Sequence, residues 1–186
     1  MENKYVRAKR NILFSLCVIS LAICGCGYTT RSSVTVNNPT IYVENFVNKI
    51  DITRETSDAN IYYAYKPSME LDITRAIIDR FLLDGNYQIA QPGGAHFILK
   101  GQLIDFRREP LRYGTDDTVV EFRLHASCNI ELYDREKKAK VWVENNFAGE
   151  STYRTTGEYA KSENTALTEA INDLAKRIVE RTVEDW

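Results

Sequence analysis

The residue with the most definite chemistry in this sequence is Cys26. Lys4, Arg7, Lys9 and Arg10 precede an apolar run from Ile12 to Ile23, and Cys24-Gly25-Cys26-Gly27 follows. A basic start, a short apolar stretch and small residues at its end are the parts of a secretory signal. The run is shorter than the roughly 20 residues a spanning helix needs. Ile23-Cys24-Gly25-Cys26 fits a bacterial lipobox, in which a small residue stands directly before a cysteine whose sulfur is acylated. Taking Cys24 as the acceptor would put Ile23 at the small-residue position, so the spacing favours Cys26. An ordinary signal peptide and an uncleaved anchor are the other readings of the same segment. On the lipobox reading, residues 1–25 are a signal peptide and 26–38 a lipidated N-terminus with a short Thr-, Ser- and Asn-rich spacer. Residues 39–186 then form a single domain. Two or three acyl chains anchor a protein stably where one binds only marginally.

Little other chemistry is available. Cys17 and Cys24 leave with the signal and Cys26 is consumed by lipid, so only Cys128 remains, and no disulfide framework or zinc site can be built from it. The two histidines, His96 and His125, both fall on the polar sides of alternating stretches, with no converging carboxylate motif to make a metal site. No H-E-x-x-H, G-x-S-x-G or phosphate-cradling glycine loop is present, so no catalytic residue can be named and the chain does not read as an enzyme. Removing residues 1–25 takes away four cations and one anion, leaving 20 cations, 25 anions and a net charge of −5. An acidic mature chain speaks against nonspecific nucleic-acid or polybasic membrane binding, and an anionic ligand would have to be caught locally.

The elements that position these residues are legible from periodicity. From Val119 to Tyr133, Val120, Phe122, Leu124, Ala126, Cys128, Ile130 and Leu132 alternate with Glu121, Arg123, His125, Ser127, Asn129 and Glu131. That is a strand with one dry and one wet face. A strand before it carries Phe97, Leu99, Gly101 and Leu103, and Leu103-Ile104-Asp105-Phe106 signals a bulge or a switch of face. The link that follows, Arg107 to Asp117, is long for a hairpin and therefore a place for function. In the strand after Asp134–Lys138, Val141, Val143 and Phe147 are expected inward and Trp142 outward, either as a contact residue or shielded by the neighbouring strand or the turn. An earlier strand follows Pro39 and ends near Phe46. The loop from Val47 to Lys66 clusters Tyr62, Tyr63 and Tyr65, either as a contact surface or as the cap of a core.

Leu71, Ile73, Ile77, Ile78, Phe81 and Leu82 recur at helical spacing between Pro67-Ser68, either of which can be the cap, and Asp84-Gly85-Asn86. A second helix starts near Ser162 and runs to about Thr182, with Leu167, Ala170, Ile171, Leu174, Ala175 and Ile178 on one stripe. The order β-α-β-β-β-α predicts an α+β fold, an α/β sandwich. Its four-stranded mixed sheet carries two amphipathic helices on one face, and the helical crossover gives a parallel pairing.

With those elements placed, the mature chain resembles the LPS-assembly lipoprotein family LptE. The resemblance runs through Cys26-Gly27-Tyr28, Glu44-Asn45-Phe46, Asp72 to Phe81, Ala95 to Gly101, Arg112-Tyr113-Gly114 with Glu121-Phe122-Arg123-Leu124, and Leu174-Ala175-Lys176-Arg177-Ile178. His96 departs from it, since the family more often shows Asp there. The resemblance implies a plug for the outer-membrane barrel LptD that helps the barrel assemble and assists delivery of lipopolysaccharide to the outer leaflet. It also implies lipid anchoring on the periplasmic side of the outer membrane, and Gly27 in place of Asp after the acceptor cysteine is in keeping with that destination. Lipopolysaccharide binding, again by resemblance, falls to basic loop residues that match Arg112 and Lys161. Arg107 and Arg108 add charge on the same link, partly offset by Glu109. No cofactor is implied. The stretch Tyr42 to Phe46 is also similar to lipoproteins that activate cell-wall synthases, a second binding-module reading that the short spacer disfavours.

Overall fold

The structure is a computed structural model that describes residues 39–50, 62–63 and 65–184. Cys26, the expected lipidation site, lies outside the described residues, as do the signal, the spacer and the side chains of Tyr62 and Tyr63.

Seven strands form one mixed sheet: β1 (Thr40–Val43), β2 (Val47–Asn48), β3 (Tyr62–Tyr63), β4 (Gln88–Ile89), β5 (Phe97–Tyr113), β6 (Val119–Asp134) and β7 (Ala139–Arg154). Two helices, α1 (Met69–Asp84) and α2 (Glu163–Val183), pack against one face. The α/β sandwich expected from the element order is present, and the sheet has more strands than the four expected. The path runs β4-β1-β5-β6-β7, with the two-residue β2 and β3 added along β5. β1 lies parallel to both β4 and β5, which is the pairing its helical crossover requires. β5, β6 and β7 make two long antiparallel hairpins.

The alternation in β6 holds through the structure. Leu124, Ala126, Cys128, Ile130 and Leu132 are buried against the helices, and Glu121, Arg123, His125 and Glu131 face the other way. Ile73, Ile77 and Phe81 of α1 and Leu174, Ala175 and Ile178 of α2 close the same core. Ser162 caps α2, accepting from the Thr165 amide at 3.1 Å. At α1, Ser68 has φ 72 and makes no side-chain cap bond, so the first turn is held by its carbonyl, which accepts from Leu71 at 3.0 Å. Gly85, with φ 77, closes that helix as the left-handed residue expected there. Leu82, expected on the buried stripe, is exposed on the last turn beside Leu83.

At Gly149 on β7, α2 approaches the sheet closely. A Cβ there would lie 2.4 Å from the Leu174 amide nitrogen and 2.6 Å from its Cα. Only a residue without a side chain admits that approach.

Two expectations are overturned. The bulge foreseen at Ile104 is found, as a register shift between Leu103 and Asp105. Beyond it β5 continues to Tyr113, so Arg107 to Tyr113 is paired strand and the turn is only Gly114 to Thr118. Among the described residues, β6 is the strand paired with β5 past Arg108, and Pro110, which has no N–H to donate, lies in that stretch. The second correction concerns Trp142, which is buried on the helix side, while Val143, expected inward, is exposed on the outer face. Cys128 pairs with Phe147 but Ile130 pairs with Glu144, so β7 carries an extra residue in this stretch, where Asn146 takes φ 54. One inserted residue reverses the inside and outside of the stretch before it, here Trp142 to Glu144, until a second register shift between Leu132 and Tyr133.

Candidate ligand and partner surface

Both helices cover the inner face of the sheet, and among the described residues no element packs over the outer face of β5, β6 and β7. Its side chains are arranged as ion pairs, some across strands and some along one strand. Lys140 reaches Glu131 at 2.8 Å and Lys100 reaches the same residue at 3.8 Å. Arg107 is held by Asp105 at 2.5 Å and Glu109 at 3.2 Å. His125 Nδ1 lies 3.0 Å from Glu150, with Ser127 Oγ on its other ring nitrogen at 2.9 Å, and Arg123 approaches Glu150 at 3.8 Å. Opposite charges on cross-strand positions stabilise the pairing, and here they also leave the face close to electrically balanced. A groove of about 330 Å³ crosses this face near its middle, lined by Glu44, Val47, Lys100, Glu131 and Val143.

The four basic candidates stand in different surroundings. Arg108 points to the inner face, where its Nη1 donates to Glu163 Oε2 at 2.6 Å and its guanidinium lies 4.7 Å from the Phe122 ring. Tyr153 donates to the same carboxylate at 3.1 Å, and its ring stacks on Phe122 at 5.6 Å. Burial raises the pKa of the Tyr153 hydroxyl, so it stays a neutral donor. Arg108 is therefore a tie between β5 and the first turn of α2. Arg107 is on the outer face with two acidic partners of its own. Lys161 donates to Glu169, which also accepts from Ser151 Oγ at 2.8 Å, and the two donors hold the Glu169 carboxyl below its usual range. Arg112 is the exposed one, with 62% of its side chain accessible and its Nε 3.4 Å from Glu121 Oε2.

Sequence reasoning missed the third member of this last group. Arg112, Glu121 and Arg154 are direct cross-strand partners on β5, β6 and β7, and Arg154 Nε lies 3.9 Å from the same Glu121 oxygen. No spacing rule links residues so far apart in the chain; only the register does. Lys161 is near in the backbone sense, since its amide donates to the Arg154 carbonyl at 3.1 Å, but its side chain is turned to Glu169.

Of the partner-surface candidates, Trp142 is buried under Arg181, whose guanidinium lies 5.1 Å from its ring. Tyr65 packs against the core and donates to Glu70 at 3.2 Å. The backbone of Tyr62 and Tyr63 pairs with Arg108 and Arg107. His96 and His125 sit on different registers of the sheet, opposite Asp134–Glu136 and Arg107 respectively, and no cluster among the described residues could hold a metal ion. Cys128 is buried, its thiol pushed up to about 12 by desolvation, so it behaves as a small apolar side chain. Among the described residues no helix is long and apolar enough to cross a membrane.

Residues 39–182 match the family described as "LptE: Lipopolysaccharide-assembly". In a direct sequence comparison nothing matches among curated proteins. Among solved structures the chain is similar to protein XCC0632 from Xanthomonas campestris, at 10% identity and a TM-score of 0.51, covering 81% of this chain and 90% of that one. It is also similar to a minor lipoprotein from Acinetobacter baumannii, at 12% identity and a TM-score of 0.48 over 81% and 96% of the two chains. For rare lipoprotein B from Shewanella oneidensis the values are 15% and 0.41 over 77% and 94%. The likeness to the first of these is one of fold.

Proposed function

This chain belongs to the LptE lipopolysaccharide-assembly family, and from that premise we propose that it is an outer-membrane lipoprotein, anchored through Cys26 on the periplasmic side. In this role it plugs and helps assemble an LptD-like β-barrel and assists delivery of lipopolysaccharide to the outer leaflet, without enzymatic activity. The observation that carries the reading, beside the family match, is the open outer face of β5 to β7. It is polar and internally charge-paired, which suits a surface set against the polar interior of a membrane barrel rather than against lipid. Strands of 16 or 17 residues extend roughly 50 Å. That exceeds the roughly 25 Å apolar belt of such a barrel, so a domain standing in the lumen reaches beyond it.

Direct lipopolysaccharide binding is part of the same proposal. Arginine matches phosphate with a planar fork, and Arg112 is the family-matched residue whose fork is exposed. The test is affinity purification of the tagged protein from detergent-solubilised membranes. Recovery of a large β-barrel protein is the expected result. Recovery of a cell-wall synthase without a barrel would overturn the proposal in favour of the activator reading.

A further inference from the structure

Resting on the lipopolysaccharide-binding reading above, the geometry points to a phosphate site built by Arg112 and Arg154 together, with Glu121 between them and Lys161 outside it. We propose that Arg154, not Lys161, is the second cation that meets the ligand.

Four observations converge on it. First, the three residues are register partners on adjacent strands, so their side chains leave the same face. Neighbouring strands stand about 4.8 Å apart, which puts the two arginines on either side of one carboxylate. Second, cations outnumber acids here. Arg107 has two acidic partners, and Arg108 and Lys161 each have a close one, but Arg112 and Arg154 share Glu121 alone. Third, the sharing is loose. Both contacts, 3.4 and 3.9 Å, are made by Nε to Oε2, an enclosed oxygen that receives no hydrogen bond. Among the described residues neither guanidinium makes a hydrogen bond, so their N–H donors remain for a ligand. Fourth, the exposures are graded: 62% and 46% of the two arginine side chains are accessible against 14% for Glu121. The carboxylate lies beneath, keeping the forks together, and the forks reach solvent.

Phosphate oxygens would accept from both forks, and a dianion between two guanidinium groups gains two charge-assisted contacts where one arginine offers one. Among the described residues of this face, Lys100 and Lys140 also share an acid, Glu131. There the groove adds Glu44, and the cations are ammonium groups, without a fork.

The experiment measures binding of two probes, purified lipopolysaccharide and the same material with its phosphates removed, to the full-length protein in detergent. Wild type is expected to prefer the phosphorylated probe. Arg154→Gln should weaken that probe roughly tenfold, and Arg112→Gln with Arg154→Gln should erase the preference. Lys161→Gln should stay within about twofold of wild type, since its partner is Glu169. Thermal melts of each variant matching wild type separate lost binding from lost folding. Arg154→Gln binding as wild type does, or Lys161→Gln losing as much as the double variant, overturns the site while leaving lipopolysaccharide binding intact. A wild-type protein that binds neither probe overturns the binding reading itself.

Discussion

Replacing Gly149 by Ala tests the packing that holds α2 on the sheet. The added methyl carbon would meet Leu174 N, Cα and Cβ at 2.4, 2.6 and 2.6 Å. Two of these are backbone atoms of α2, so no rotamer change relieves the contact. The helix has to move out by about 1 Å to restore ordinary spacing, and a gap of that size forfeits a quarter to a half of the dispersion energy between facing atoms. The contacts at stake are those of Leu167, Ile171, Leu174 and Ile178, all buried in the shared core. Overpacking of this kind costs about 3 kcal/mol, the upper end of its usual range, because the obstructing atoms are main chain. Stiffening of the unfolded chain by Gly→Ala returns about 0.5–1 kcal/mol. The net loss is about 2 kcal/mol, or a fall of roughly 4–8 °C in Tm for a chain of this size. Gly93→Ala is the control, since nothing lies within 4 Å of a Cβ there. Urea and thermal denaturation followed by circular dichroism read both variants. Equal stability of the two would refute the close approach of α2 to β7.

Three further outcomes are expected. Glu163→Ala removes the carboxylate that accepts from both Arg108 and Tyr153, and should cost about 1–2 kcal/mol in urea melts. A change within 0.3 kcal/mol would show that the tie is not formed in solution. Asp134, through the Lys137 amide and ammonium group, and Glu169, through Lys161 and Ser151, titrate below their ordinary values. Their contribution is therefore complete above the ordinary carboxylate range and is lost as pH falls through the depressed folded values. Asp134→Asn with Glu169→Gln should flatten the acid limb of a stability–pH curve below about pH 4.5 and lower the plateau above it. An unchanged acid limb would count against both interactions. Cys128 should resist a thiol reagent at pH 8 in the native protein and react fully in 8 M urea, and rapid native labelling would contradict its burial.

The strand β6 and helix α2 were legible because each buries one face, and one-sided burial writes its period into the residue types. Trp142 was not, because a bulge at Asn145–Asn146 changes which positions face inward without changing the residue types around it. The end of β5 was misread for a different reason. Arg107, Arg108, Glu109 and Pro110 look like a loop by composition, yet in the extended strand Asp105 and Glu109 flank Arg107 on one face, and the fold brings Glu163 to Arg108. The same holds for the site. Arg112 could be found by position in the chain, but its pairing with Glu121 and Arg154 exists only across three strands. The strands β2, β3 and β4, each of two residues, are too short for any periodicity to show.

The most direct test of a domain seated in a barrel is photo-crosslinking in intact cells. A photoreactive amino acid at Val143, exposed on the outer face, is compared with one at Ala126, which is wholly buried. The expected result is an adduct between position 143 and a large outer-membrane β-barrel protein, with none from position 126. Adducts from position 143 to soluble periplasmic proteins or a cell-wall synthase, and none to a barrel, would contradict it.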